Sequence, residues 1–219
     1  MSTVEMKPLY RVSVLAVGFA RMWRGWKVVL PVIVVNALLQ SLLILLGVLP
    51  YLTIAFVLVA VVSFMILVKA YNFVAAAMLE AAVGPVNVRA VYDNLWSRYW
   101  VLLAWSVGLG VVVLIGLSLY VVPGFLVLAL TPYLLLAVVD GQRNPLAVNF
   151  RTIGARWGRW LITAVLMGVV LFVAWFFAAL DGFFITGAPA AFIGWLVLGF
   201  IATWFLSAWA LIYRSVNPR

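Results

Sequence analysis

Charged residues cluster in a few short stretches of the chain, and long apolar runs separate them. A helix needs about 20 predominantly apolar residues to cross a bilayer. Six segments meet this, at about 28–49, 51–69, 100–122, 124–139, 160–180 and 190–213, and Lys69 is the single ionisable residue within them. Two uninterrupted apolar stretches have to be divided to give six. Pro50 and the Pro123-Gly124 pair are the natural breakpoints, because proline ends a helix and glycine permits a turn. The fourth segment is short: its 16 residues reach about 24 Å against a core of about 30 Å, and Thr131-Pro132 introduces a kink. A tilted or re-entrant element is the alternative there.

The polar stretches carry a different period. In 86–99, Val88, Val91, Tyr92, Leu95, Trp96 and Tyr99 follow the one-face helical template, while Arg89, Asp93, Asn94 and Arg98 take the remaining positions. In 145–159, Leu146, Phe150, Ile153 and Trp157 form the apolar stripe, which Trp160 continues, against Asn149, Thr152, Arg156 and Arg159. Near the N-terminus, 9–26 repeats the pattern with Val12, Leu15, Phe19, Met22, Trp23 and Trp26 beside Arg11, Arg21 and Arg24. These predict three interfacial amphipathic helices, each leading into a pair of spans. They also align with one another: Trp23, Trp96 and Trp157 are each followed three residues later by Trp26, Tyr99 and Trp160, with Arg24, Arg98 and Arg159 close behind the tryptophans. The expected architecture is an all-α integral membrane protein of six transmembrane helices arranged as three hairpins, forming a single membrane domain over 1–219.

Composition agrees. The 219 residues are 68% hydrophobic and 9% charged, with a mean hydropathy of +1.27. A soluble domain averages about 25% charged. The net charge of +9 has a topological explanation that needs no nucleic-acid partner. With a cytoplasmic N-terminus, the inner regions 1–27, 69–99, 140–159 and 214–219 hold all 14 lysines and arginines, and the outer turns hold none. This partition predicts an even number of spans with both termini in the cytoplasm of a bacterial inner (plasma) membrane. No cleavable signal peptide is expected, since five cations precede the first long apolar run at Val28.

The chain has no cysteine and no histidine. Disulfides, thiolate nucleophiles, His-ligated metals and histidine bases are therefore excluded. The five acids, Glu5, Glu80, Asp93, Asp140 and Asp181, are all more than ten residues apart, so no local paired-carboxylate or metal motif exists. Asp140-Gly141, near Arg143, and Asp181-Gly182 read as turns, and Lys69 as a side chain reaching for the inner interface. No enzyme, cofactor or metal is expected. Inside the spans, Asn36 and Gln40 lie one turn apart on the first helix, where amides usually hydrogen-bond across helices. Ser106, Gly108 and Gly110, and the pair Ala174 and Ala178, read as close-packing positions.

The stretch from Ala75 to Ile212 resembles the bacterial family of glycerophosphodiester-phosphodiesterase membrane-domain-like proteins. The features that carry the resemblance are the helix end Ala75-Ala76-Ala77 to Gly84, the amphipathic 86–99, and the turn Val122-Pro123-Gly124-Phe125. The run Ala137-Val138-Val139-Asp140-Gly141 and the Arg-rich 146–160 complete it. The phosphodiesterase catalytic domain that some relatives carry is absent, and no catalytic residues transfer. The resemblance implies a six-helix auxiliary subunit of envelope or transport machinery. The Arg, Ala and Val bias makes an actinobacterial auxiliary subunit of an Mce-type lipid importer the specific form of that expectation.

The sequence therefore predicts a non-catalytic subunit that docks on a larger membrane complex for lipid or envelope-component transport. Its candidate lipid-headgroup or partner-docking faces are Arg21, Trp23, Arg24, Trp26, Trp96, Arg98, Tyr99, Arg156, Trp157, Arg159 and Trp160. The alternative is a self-sufficient oligomeric pore or lipid flippase with Asn36 and Gln40 facing its path.

Overall fold

A computed structural model describes residues 13–45, 53–119, 121–181 and 185–218. The expected turns at Pro50 and Gly182, residues 9–12 of the first amphipathic stretch, and the side chains of Ala178 and Asp181 lie outside the described residues. Every regular element among the described residues is helical. In order these are α1 (Ser13–Met22), a single 3-10 turn (Trp23–Gly25), α2 (Trp26–Ile44), α3 (Ile54–Ala81), α4 (Val88–Ser97), α5 (Tyr99–Leu119), α6 (Val121–Leu130), α7 (Leu134–Asp140), α8 (Pro145–Ala155), α9 (Trp157–Asp181) and α10 (Gly187–Arg214). Six helical stretches are long and apolar enough to span a membrane, with α6 and α7 together making the fourth. The chain is a multi-pass membrane protein.

The short helices meet the spans at abrupt breaks. Between α4 and α5, Arg98 leaves the helical region at φ −117°, ψ 17°, and between α8 and α9 Arg156 does so at φ −135°, ψ 35°. Between α1 and α2 the chain passes through the 3-10 turn, with Gly25 at φ −94°, ψ 7°. The three tryptophans that align in sequence fall at or within two residues of these three breaks. Side chains fix where the short helices begin: Asn87 Oδ1 accepts from the amides of Arg89 and Ala90, and Asn144 Oδ1 from that of Ala147, with Pro145 at the first position of α8.

The core lies at one end of the bundle. It gathers Val14 and Met22 of α1, Val29 of α2, Ala75 to Leu79 of α3, Val91 of α4, Leu136 to Val139 of α7 and Phe205 to Tyr213 of α10. Small residues let backbones approach there: a Cβ at Gly18 would stand 3.1 Å from Ala208 Cα. Trp204 Nε1 donates to the Leu15 carbonyl at 2.8 Å and Ser207 Oγ to the Gly18 carbonyl at 2.9 Å, so α1 and α10 advance together. Away from this end the helices are open. Ile54, Leu58, Val61 and Val62 of α3, and Val165, Val169, Phe172 and Phe176 of α9, are exposed apolar side chains. Such a surface suits hydrocarbon or another membrane helix.

The fourth span is broken. Proline at 132 has no amide hydrogen to donate, and the chain leaves the helix between Leu130 and Leu134. The backbone groups freed by the break are met by side chains. Asn149 of α8 is fully buried; its Oδ1 accepts from the Tyr133 amide at 3.0 Å and its Nδ2 donates to the Leu130 carbonyl at 2.8 Å. Trp160 Nε1 of α9 donates to the Ala129 carbonyl at 2.8 Å. The kink anticipated at Thr131-Pro132 is thus a full interruption held by two neighbouring helices.

The expected turn at Pro123-Gly124 is displaced. Helix α6 starts at Val121, so both residues lie in its first turn, where a proline needs no hydrogen-bonded N–H. Gly124 serves packing instead: a Cβ on Gly116 of α5 would stand 2.7 Å from its backbone nitrogen. Helix α3 runs unbroken from Ile54 to Ala81, so Lys69 and Glu80 share one long helix that extends the second span, as the sequence reading has it.

Asn149→Leu would leave buried donors and acceptors of the break without partners. Each of the two losses costs about 1–3 kcal/mol, so the variant is expected to unfold roughly 2–6 kcal/mol more easily in detergent. A denaturation midpoint equal to the parent's would show that the break does not need Asn149.

Candidate functional site

The three aromatic and basic faces predicted from the sequence are engaged in different ways. On the first, Trp23 and Trp26 are half exposed and Arg24 is exposed, whereas an Nη of Arg21 donates to the carbonyl of Ala82, the residue that ends α3. Arg21 therefore caps a helix C-terminus, where a cation also complements the dipole. On the third face, Arg156 and Trp157 are exposed, Arg159 is half-buried, and Trp160 turns inward to the α6 carbonyl already described.

The second face is part of a groove. Between α3, α4 and α5 lies a partly open cavity of about 90 Å³ lined by Lys69, Tyr92, Trp96, Tyr99 and apolar neighbours. Trp96 stacks on Tyr92, with centroids 6.1 Å apart and planes 8° from parallel, and lies 5.9 Å from the Tyr99 ring. Lys69 Nζ sits 3.7 Å above the centroid of Tyr99, inside the range of a cation–π contact. Val91 and Leu95 of the α4 stripe are buried, while Tyr92 and Trp96 remain more than half exposed. The groove floor is fixed by a buried pair: Asn72 Nδ2 donates to Ser106 Oγ at 3.2 Å. Arg98 leaves the groove, its guanidinium resting where Gly141 lacks a Cβ.

The spacing of charges in the sequence did not point to the buried ion pair. Asp140 Oδ1 accepts from Arg214 Nη2 at 2.7 Å, and the two side chains are 4% and 5% exposed. Asp140 Oδ2 also accepts from Tyr213 OH and from Gln142 Nε2, each at 3.0 Å. The partner of Asp140 is thus Arg214 and not its sequence neighbour Arg143. Gly141 does form the expected turn, at φ 80°, a left-handed conformation that favours glycine. Asn94 Nδ2, donating to the Val139 carbonyl at 3.2 Å, ties α4 to the same corner. Next to it Asn217 donates to Thr152 Oγ1 at 3.0 Å and accepts from Arg151, which fastens the segment after α10 to α8.

The two intramembrane amides are both buried. Gln40 is committed to α3: its Nε2 donates to the Ser63 carbonyl at 2.9 Å, and Ser63 Oγ donates to its Oε1 at 2.6 Å. Asn36 Oδ1 has no partner among the described residues. The structure thus places Gln40 in a helix contact with α3. The acids stay apart: Glu80 accepts from the Asn87 amide at 3.1 Å, Asp93 lies 3.9 Å from Arg89, and Asp140 holds Arg214. Among the described residues no three potential metal ligands converge.

No protein family, curated protein or solved structure matches the chain.

Removing one member of a buried ion pair strands the other, at a cost of about 3–5 kcal/mol. Asp140→Leu and Arg214→Met should each destabilise by that order, and the double variant should lose less than either single change. Unfolding in detergent of all four proteins measures the coupling; additive losses would mean that the pair does not hold α7 to α10.

Proposed function

We propose that this chain is a non-catalytic auxiliary subunit of the bacterial inner membrane that docks through its spans on a larger membrane complex for lipid or envelope-component transport. One observation carries the docking. On α5, α9 and α10, Gly108, Gly168 and Gly194 each follow an alanine by four residues (Ala104, Ala164, Ala190), and among the described residues nothing lies within 4 Å of where their Cβ atoms would be. Small residues four apart let a second transmembrane helix approach closely. Facing only lipid, a helix glycine lowers stability by about 1 kcal/mol relative to alanine. By contrast, Gly18, Gly25 and Gly199 at the closed end already meet Ala208, Met78 and Ile33.

The same reading puts the basic segments in the cytoplasm, following the complete segregation of lysine and arginine. There α1, α4 and α8, with Trp23, Trp96 and Trp157, would lie along the inner leaflet. The resemblance to glycerophosphodiester-phosphodiesterase membrane-domain-like proteins, and through it to Mce-type importer subunits, points to the same kind of role. Gln40, one of the two amides assigned to the path of a self-sufficient pore or flippase, is engaged with Ser63, which supports docking over that alternative.

A tagged chromosomal copy purified in mild detergent should bring down other polytopic proteins in fixed ratio. Gly108→Leu and Gly168→Leu should release them while the variant itself still folds. Recovery of the parent chain alone would overturn the docking reading.

Orientation has its own test, helped by the absence of native cysteine. Thr186→Cys should react with an impermeant maleimide in intact cells, and Arg89→Cys only after the membrane is opened. The reverse pattern would invert the topology.

A further inference from the structure

We infer that the groove between α3, α4 and α5 is a binding site for an anionic phospholipid, with the Lys69 ammonium on its phosphate and the apolar wall along the start of an acyl chain. The depth of Lys69 comes first. Gly25 packs on Met78, and Gln40 on Ser63, which sets α2 and α3 antiparallel. In that register Lys69 stands level with Val34, about 12 Å along α2 from Trp26 at 1.5 Å per residue. A cation at this depth is costly unless its head finds water or a counter-charge. The side chain reaches toward Tyr99, the first residue of α5, and its head rests on that ring. The ring faces one side of the ammonium, and the N–H donors on its other side are directed away from the ring.

No carboxylate among the described residues lines the cavity. Asp93 on the same helix as Tyr92 lies by Arg89, and Glu80 further along α3 accepts from the Asn87 amide. Nor does Asn72 offer an alternative, since its amide is paired with Ser106. Among the described residues, then, no acid faces the ammonium, and the counter-charge assigned to it is a phosphate of the surrounding membrane. Its source follows from the walls. Beside Lys69 the lining is aromatic and aliphatic, with Tyr92, Trp96, Leu95, Leu102 and Leu103 around it. A free phosphate would lose its hydration against such walls, whereas a phospholipid presents its phosphate and its first methylenes together. The cavity is partly open, so a lipid can enter from the leaflet without unfolding any helix. The site requires only that the chain is embedded in a membrane, and it is independent of any docking partner.

The test uses the full chain in detergent, titrated with dioleoylphosphatidylglycerol or dioleoylphosphatidylcholine and read by native mass spectrometry and by thermal stabilisation. The parent should retain phosphatidylglycerol roughly tenfold more tightly than phosphatidylcholine, because the trimethylammonium of choline offsets the phosphate charge and repels the Lys69 ammonium. Lys69→Gln should abolish that preference, and Arg89→Gln, an exposed cation outside the groove, should keep it. Leu103→Trp fills the cavity with Lys69 intact and should lose the bound lipid, which decides the matter if the Lys69 variant does not fold. An unchanged preference in Lys69→Gln or in Leu103→Trp would overturn the site. So would equal binding of the two lipids by the parent, or displacement of phosphatidylglycerol by millimolar inorganic phosphate, which would mark a site for the free anion.

Discussion

Hydrocarbon offers no hydrogen bonds, so every backbone group at membrane depth has to be satisfied from within the protein. The fourth span is where this constraint bears hardest. Pro132 removes one donor, and the irregular residues around it free further groups at Ala129, Leu130 and Tyr133. Asn149 and Trp160 supply the substitutes, so the break can exist only with α8 and the start of α9 packed against it. The position of α7 relative to α6 follows from that packing. So does the delivery of Asp140 to the end of α10, where Arg214 receives it.

A division of the molecule results. Polar side chains, helix breaks and buried ions are concentrated at one end, and each is tied to an element far away in sequence: Arg21 to Ala82, Asn94 to Val139, Asp140 to Arg214 and Asn217 to Thr152. These contacts are directional and fix a single arrangement. Toward the other end the spans present aliphatic side chains and uncovered glycines, which impose no such arrangement. Rigidity at one end with open faces at the other is a sound basis for a subunit whose spans meet something else.

The parts visible in the sequence were those set by local physics. Six spans follow from runs of apolar residues, and the aligned tryptophans lie close to the helix breaks, Trp23 and Trp157 at two of them and Trp96 two residues before the third. Proline was a less certain guide. Pro132 broke a helix but Pro123 entered the first turn of one, since its effect depends on whether the amide it lacks would have been bonded. Long-range pairings left no periodic trace. Asn149 looked like one more polar residue opposite an apolar stripe, and Asp140 like a surface turn. An alternative signal existed in Asp140 itself: an acid at the very end of an apolar span, in a chain with only five acids, asks for a partner, and Arg214 ends the last span in the same way.

Amphipathic period also says which residues share a face, but not what the face meets. Within one α4 stripe, Val91 and Leu95 are buried while Tyr92 and Trp96 stay exposed. The helix is rotated so that its aliphatic side chains fill the core and its aromatic ones border the groove. That rotation is what brings Tyr92 and Trp96 beside Lys69, and the break at Arg98 then turns Tyr99 beneath the ammonium. A continuous helix through 98 would have carried Tyr99 on along the α4 axis and left the cation without its ring. The backbone interruption that sets the direction of α5 therefore also assembles the groove around Lys69.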